Sequence, residues 1–224
     1  MNDTTKEHIL ASYEGNRVLR SLFQLIPYVG GALDVILTKT LDQIREERAR
    51  AFFDELAEGK VVLNEDLLKS EDFLHAYFST VKYALNSQRR EKIRMFAHLL
   101  ESSLMPDGPQ STDEYEDFLK ILDELSYREL TALVTLDEYS SRFPKNELNE
   151  LQWTETFWDA FAHQLTETNG IPSNEITDFM NRISRTGCYE IFPPIYNDYK
   201  GGKGQLTPIY QRLKKFIIRK NEEN

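Results

Sequence analysis

Few residues in this chain are equipped for chemistry. Four histidines (His8, His75, His98 and His163), one cysteine (Cys188) and 37 carboxylates are the groups that could ligate a metal, move a proton or attack a carbonyl. A metal site needs such ligands at short, fixed spacings, and the four histidines share none. No His-Glu-x-x-His and no Gly-x-Ser-x-Gly is present, and Gly201-Gly-Lys-Gly204 lacks the spacing of a Walker loop. Cys188 follows the end of an expected helix, so no helix N-terminus activates its thiol, and it reads as a small buried residue. His98 and His163 fall in amphipathic stretches and read as packed or surface side chains. Carboxylates are plentiful, but no spacing singles out a pair for acid–base work. The chain reads as non-catalytic, with no cofactor and no metal.

Anion binding is the other chemistry the residues could support. The chain carries a formal net charge of −10, which repels nucleic acid and anionic lipid unless the charge is segregated. It is segregated: residues 200–224 hold seven basic and two acidic side chains, a net of +5, against −15 for the rest. Lys200, Lys203, Lys214 and Lys215 are the forward members of this basic stretch. It suits either the dipole of a closing helix or a phosphate backbone. A second cluster, Arg89, Arg90, Lys92 and Arg94, opens a helix, where cations oppose the dipole. Carboxylates within the chain could compensate it, or an anionic ligand or partner could.

The elements that must position these residues are mostly helices. Ten Gly and eight Pro in 224 residues leave long uninterrupted stretches. Apolar spacing predicts a helix over 5–26, stopped by Pro27, then a Gly30-Gly31 turn and a long helix over 32–58. The stripe of that long helix is Leu33, Leu37, Leu41, Ile44, Phe52 and Leu56. Residues 60–69 connect, with Val61, Val62 and Leu63 as an apolar anchor. Ser70 caps a helix to about Leu85, and another runs to Leu104. Met105-Pro-Asp-Gly-Pro-Gln-Ser111 breaks the chain. Ser111-x-x-Glu114 and Ser126-x-x-Glu129 have capping-box spacing. Thr154 is the expected cap of a helix over 155–168, and Ser173 of one running to Thr186 and stopped by Gly187. Cys188–Phe192 reads as a strand with Gln205-Leu206 pairing back. Thr207-Pro208 starts a last helix that buries Ile209, Leu213, Phe216 and Ile217.

Pro172–Gly187, then Tyr189-Glu-Ile-Phe192, then Gln205-Leu-Thr-Pro208 and a helix, together resemble a winged-helix (helix-turn-helix) domain. The resemblance implies a third helix that could enter a major groove, with Asn181, Arg182 and Arg185 outward and Lys200 and Lys203 on the wing. Glu175 and Asp178 on that helix cancel its two arginines, which favours a protein surface over DNA. Ile26–Gly31, Arg45–Arg50 and Arg89–Arg94 resemble segments of small uncharacterised bacterial helical proteins, a resemblance that carries no activity.

The expected architecture is mainly α: a helical bundle with an N-terminal helical hairpin over 1–106, then a helical, winged-helix-like domain with a short β-hairpin over 111–220. The expected function is a non-catalytic cytoplasmic interaction or adaptor protein with a protein partner, a second copy included. One alternative is a DNA-binding regulator working through the winged helix. Another is a membrane-perturbing effector using the apolar segment 22–37. Asp34 inside that segment, Arg20 just before it, and the lack of an uninterrupted apolar stretch of about 20 residues argue against a membrane partner. The polar opening Met1–Glu7 does not read as a signal peptide, and a lone cysteine suits a reducing compartment.

Overall fold

Asn16 decides where the first fully described helix starts. Its extended backbone and its side chain, which accepts the Leu19 N–H at 3.1 Å, cap α1 (Arg17–Gln24). The computed structural model describes Ala11, Tyr13 and residues 16–26, 35–59, 64–193 and 202–219, with only the backbone of 35–42. The single helix expected over 5–26 is therefore interrupted, because an Asn cap at 16 begins a new one. The expected Pro27 stop, the Gly30-Gly31 turn, the Val61–Leu63 anchor, Lys200 and most of the wing loop lie outside the described residues.

The other elements follow in order. They are α2 (Val35–Ala57), a 3₁₀ turn (Leu67–Lys69), α3 (Glu71–Asn86), α4 (Arg90–Ser102), α5 (Thr112–Glu124) and α6 (Tyr127–Arg142). Then come α7 (Glu150–Asn169), a 3₁₀ turn (Ser173–Glu175), α8 (Ile176–Ser184), β1 (Tyr189–Ile191), β2 (Gly204–Leu206) and α9 (Pro208–Ile217). The architecture is mainly α, a helical bundle with one small antiparallel hairpin near the C-terminus. The chain divides into two compact units, residues 1–120 with 216–224, and residues 121–215. The 106–111 loop lies within the first.

In the first unit, Ser70 caps α3 through the Phe73 N–H. The core is aromatic. Phe53 meets Tyr13, Phe23, Phe52 and Tyr77, and the Tyr77 hydroxyl donates to the Leu22 carbonyl. Each such ring, fully buried, contributes roughly 1.5–3 kcal/mol. The stripe of α2 is buried from Ala49 through Leu56, whereas Ile44, expected within it, is 37% exposed. Gly108 packs so tightly that a Cβ there would lie 1.8 Å from the Ser102 carbonyl oxygen, which explains the glycine in the Met105–Ser111 loop.

In the second unit, α6 and α7 form an antiparallel αα-hairpin. Asn169 at the end of α7 donates to the Arg128 carbonyl at the start of α6, and Trp153 near the start of α7 donates to the Phe143 carbonyl just past α6. The capping box expected at Ser126 is present in both directions. Helix α7, however, begins five residues before its expected start. Asn149 accepts the Gln152 N–H while Gln152 accepts the Asn149 N–H, an Asn/Gln version of the same box. Thr154, the expected cap, is therefore one turn inside the helix and fully buried.

Ser173 is not a cap either. Pro172 opens a 3₁₀ turn by accepting the Glu175 N–H, and the α-helix starts only at Ile176. Gly187 holds φ at +74°, the left-handed position expected of it. β1 and β2 pair with Tyr189 opposite Leu206, Glu190 opposite Gln205 and Ile191 opposite Gly204. Thr207 caps α9 through the Tyr210 N–H. The buried stripe of α9 is Tyr210, Leu213, Phe216 and Ile217. Ile209, expected in it, sits about 100° round the helix from Tyr210 and is 41% exposed.

Candidate functional site

Helix α8 and the residue that caps its C-terminus carry three of the nominated side chains: Asn181, Arg182 and Arg185 are all exposed. Arg182 is already engaged. Its Nε donates to Glu129 Oε1 at 2.8 Å, and its guanidinium lies 5.2 Å from the Phe179 ring centre. Glu129, 2% exposed, also accepts the Ser126 N–H at 2.7 Å. Burial works against its charge, but the backbone and hydroxyl of Ser126, together with Arg182, outweigh it and hold the carboxyl below the usual range.

The lysines behave alike. Lys203 Nζ lies 3.1 Å from Glu155 on α7, and Lys214 Nζ lies 3.2 Å from Asp137 on α6. Arg182, Lys203 and Lys214 thus end on three different carboxylates and do not converge on a common pocket. Lys215 is exposed at the end of this unit. Lys200 lies outside the described residues.

In the first unit, Arg89 and Arg90 are exposed at the start of α4. Lys92 places its Nζ 5.8 Å from the Phe96 ring centre. Arg94 donates through Nε to Glu55 Oε2 at 2.6 Å. For Arg94, then, the compensating charge comes from α2.

Following Arg94 inward leads to a set of residues that sequence reasoning did not assemble. Glu55, His98 and Glu101 are 4%, 5% and 6% exposed. His98 Nε2 lies 2.6 Å from Glu55 Oε1, and its Nδ1 lies 2.8 Å from the Ile217 carbonyl oxygen at the end of α9. Arg219 reaches Glu55 Oε1 at 3.0 Å, the Glu55 carbonyl at 2.6 Å and Glu101 Oε2 at 3.1 Å. Burial again opposes the Glu55 charge, and the bonds from His98 and Arg94 more than offset it, holding the carboxyl below its usual range. One signal was readable beforehand: Arg94, His98 and Glu101 are spaced four and three residues apart, on one helix face. Gly59 completes the packing, since a Cβ there would lie 2.8 Å from Glu101 Oε1.

A cavity of about 290 Å³ in the first unit is lined by Ser70, Asp72, Phe73, Ser111, Thr112 and Tyr115 among others. Burial pushes the Cys188 thiol up to about 11, so it stays protonated and a poor nucleophile at neutral pH. Among the described residues, no group of three or more His, Cys, Asp or Glu side chains is placed to hold a metal ion. No described helix is long and apolar enough to cross a membrane. Of the segment 22–37, residues 27–34 lie outside the described residues, while Leu22 and Phe23 are buried in the first unit's core. No family model, curated protein or solved structure matches this chain.

Proposed function

We propose that this chain is a non-catalytic protein-interaction module of the cytoplasm, with a winged-helix second unit that meets a protein partner rather than DNA. The order α6–α7–α8–β1–β2–α9 supports the winged-helix reading. One observation carries the choice of partner. Arg182, Lys203 and Lys214, three cations that would have to face phosphates, are each held by a carboxylate of their own unit. A phosphate backbone would have to compete with Glu129, Glu155 and Asp137 for them, against a net charge of −10. Glu175 and Asp178 add negative charge to the face that would enter a groove. A protein surface makes no such demand, and the mixed face of α8, with Asp178, Asn181 and Arg185 exposed, suits the polar rim of such an interface.

The test has two arms. The full chain is titrated against duplex DNA at low and moderate salt, and the same chain, immobilised, is used to capture partners from its source cells. Stoichiometric capture of a protein, a second copy included, that disappears in Asp178→Lys/Asn181→Lys supports the reading. Duplex binding that falls steeply with salt and weakens further in Arg185→Ala/Lys215→Ala overturns it in favour of a DNA-binding regulator.

A further inference from the structure

The contacts of His98 set a proton count. The Ile217 carbonyl can only accept a hydrogen bond, so Nδ1, 2.8 Å away, must carry a hydrogen. Glu55 accepts from Arg94 on one oxygen and from Arg219 on the other, and these partners keep it ionised. An ionised carboxylate also only accepts, so Nε2, 2.6 Å away, must carry a hydrogen too. A neutral imidazole has one N–H and cannot satisfy both contacts. We propose that His98, protonated on both ring nitrogens, is the pin of a proton-operated clasp that holds residues 217–219 against α2 and α4, and that loss of one proton opens it.

The surroundings suit a reversible device. The Ile217 carbonyl is one of the unpaired acceptors at the C-terminus of α9, where the helix dipole favours a cation. The described charged groups around the ring are Glu55 from α2, Arg94 and Glu101 from α4, and Arg219 after α9. With the ring charged, three cations face two carboxylates. With the ring neutral the signs balance, so the cluster tolerates losing the proton even though the clasp does not. Removing that proton turns one short bond into a lone pair facing a lone pair. The Ile217 carbonyl and the Glu55 carboxylate then compete for a single N–H. Phe216 and Ile217, both 4% exposed, are the apolar side chains next to the released bond.

The full chain is followed by hydrogen–deuterium exchange of residues 213–219 from pH 5.5 to 8.5, corrected for intrinsic exchange. In parallel, the His98 ring nitrogens are observed by ¹⁵N NMR. Two protonated nitrogens at the acid end are expected, with protection at 217–219 dropping about tenfold as the second proton is lost, the scale of one hydrogen bond to a charged group. His98→Gln cannot titrate and should show weak, pH-independent protection of the same residues. A ring bearing a single proton at pH 5.5, or wild-type protection that does not change across the range, overturns the proposal. Both are read on the wild-type chain, so the outcome does not depend on the variant folding.

Discussion

Two glutamates, one in each unit, are buried and ionised, and they are held in opposite ways. Glu129 draws most of its support from three residues away: Ser126 gives a backbone N–H and a hydroxyl, and only Arg182 comes from a distant element. Glu55 takes its side-chain partners from afar, with Arg94 and His98 on α4 and Arg219 beyond α9. A carboxylate satisfied locally is fixed as soon as its helix forms. One satisfied from two distant stretches is satisfied only when the whole unit is assembled, and it reports on that assembly. The first arrangement is a helix start that also accepts an arginine. The second is a fastening, and its loss strands several charges at once.

Acid should produce the largest effect, because it acts on both residues. Each carboxyl is held below the usual glutamate range in the folded chain. The unfolded chain therefore binds more protons in that window, and stability rises with pH there. The contribution is complete above the unfolded value of about 4.3 and is lost as pH falls through the lower folded values. Urea midpoints measured from pH 7 down to pH 2.5 should decline most steeply below pH 4. A flat profile would mean that neither carboxylate is held as described.

Glu55→Gln comes next. It keeps the shape and removes the charge that Arg94, Arg219 and His98 share. Breaking a buried pair costs about 3–5 kcal/mol. Arg94 is 43% exposed on its side chain and can turn to water, so the lower end is expected by urea unfolding. A loss below about 1 kcal/mol would show that the cluster is not a fastening. Glu129→Gln separates the two cases, because capping boxes accept Gln. The Ser126 N–H keeps its acceptor, and only the attraction to the half-exposed Arg182 is lost, at about 1 kcal/mol or less. Glu129→Ala removes the box as well and should cost about 2 kcal/mol. If Gln and Ala at 129 cost the same, Arg182 rather than the cap is what holds this glutamate.

The same contrast explains what could be read along the chain. The Ser126 box, the Ser70 and Thr207 caps, the Gly187 stop and the pairing of Gln205 with Glu190 were all legible, because each is a relation between residues close in sequence or across one turn. Asn149-x-x-Gln152 is equally local, but Asn and Gln stand in it for the commoner Ser and Glu, and the expected cap at Thr154 places the start of α7 five residues late. Tyr210 takes the buried place expected of Ile209 because neighbouring residues on a helix differ by only 100°, and packing, not pattern, chooses between them. The Glu55–His98–Arg219 set was illegible as a set: its members are 43 and 121 positions apart, and no local rule joins them. The arginines and lysines singled out as anion ligands were readable as cations but not as paired ones, since Glu129, Glu155 and Asp137 reach them only through the fold.

One expected effect has the opposite sign and sharpens the rule that buried polar groups must be matched. Four buried tyrosines pass their hydroxyl to an acceptor or share it: Tyr13 to the Asp54 carboxylate, Tyr77 to the Leu22 carbonyl, Tyr189 to the Gly202 carbonyl, and Tyr115 with Thr80. Tyr210, 2% exposed, has no hydrogen-bond partner for its hydroxyl among the described residues. An unmatched buried hydroxyl carries its desolvation cost with nothing in return, so Tyr210→Phe should raise stability by about 1 kcal/mol. Tyr77→Phe deletes a matched hydroxyl and leaves the Leu22 carbonyl with only the shared Leu25 N–H, so it should lower stability by about 1 kcal/mol. One substitution chemistry, made in each unit and read by urea midpoint at constant slope, is thus expected to move in two directions. Destabilisation at both positions would mean that Tyr210 does find a partner, in water or in the residues beyond those described.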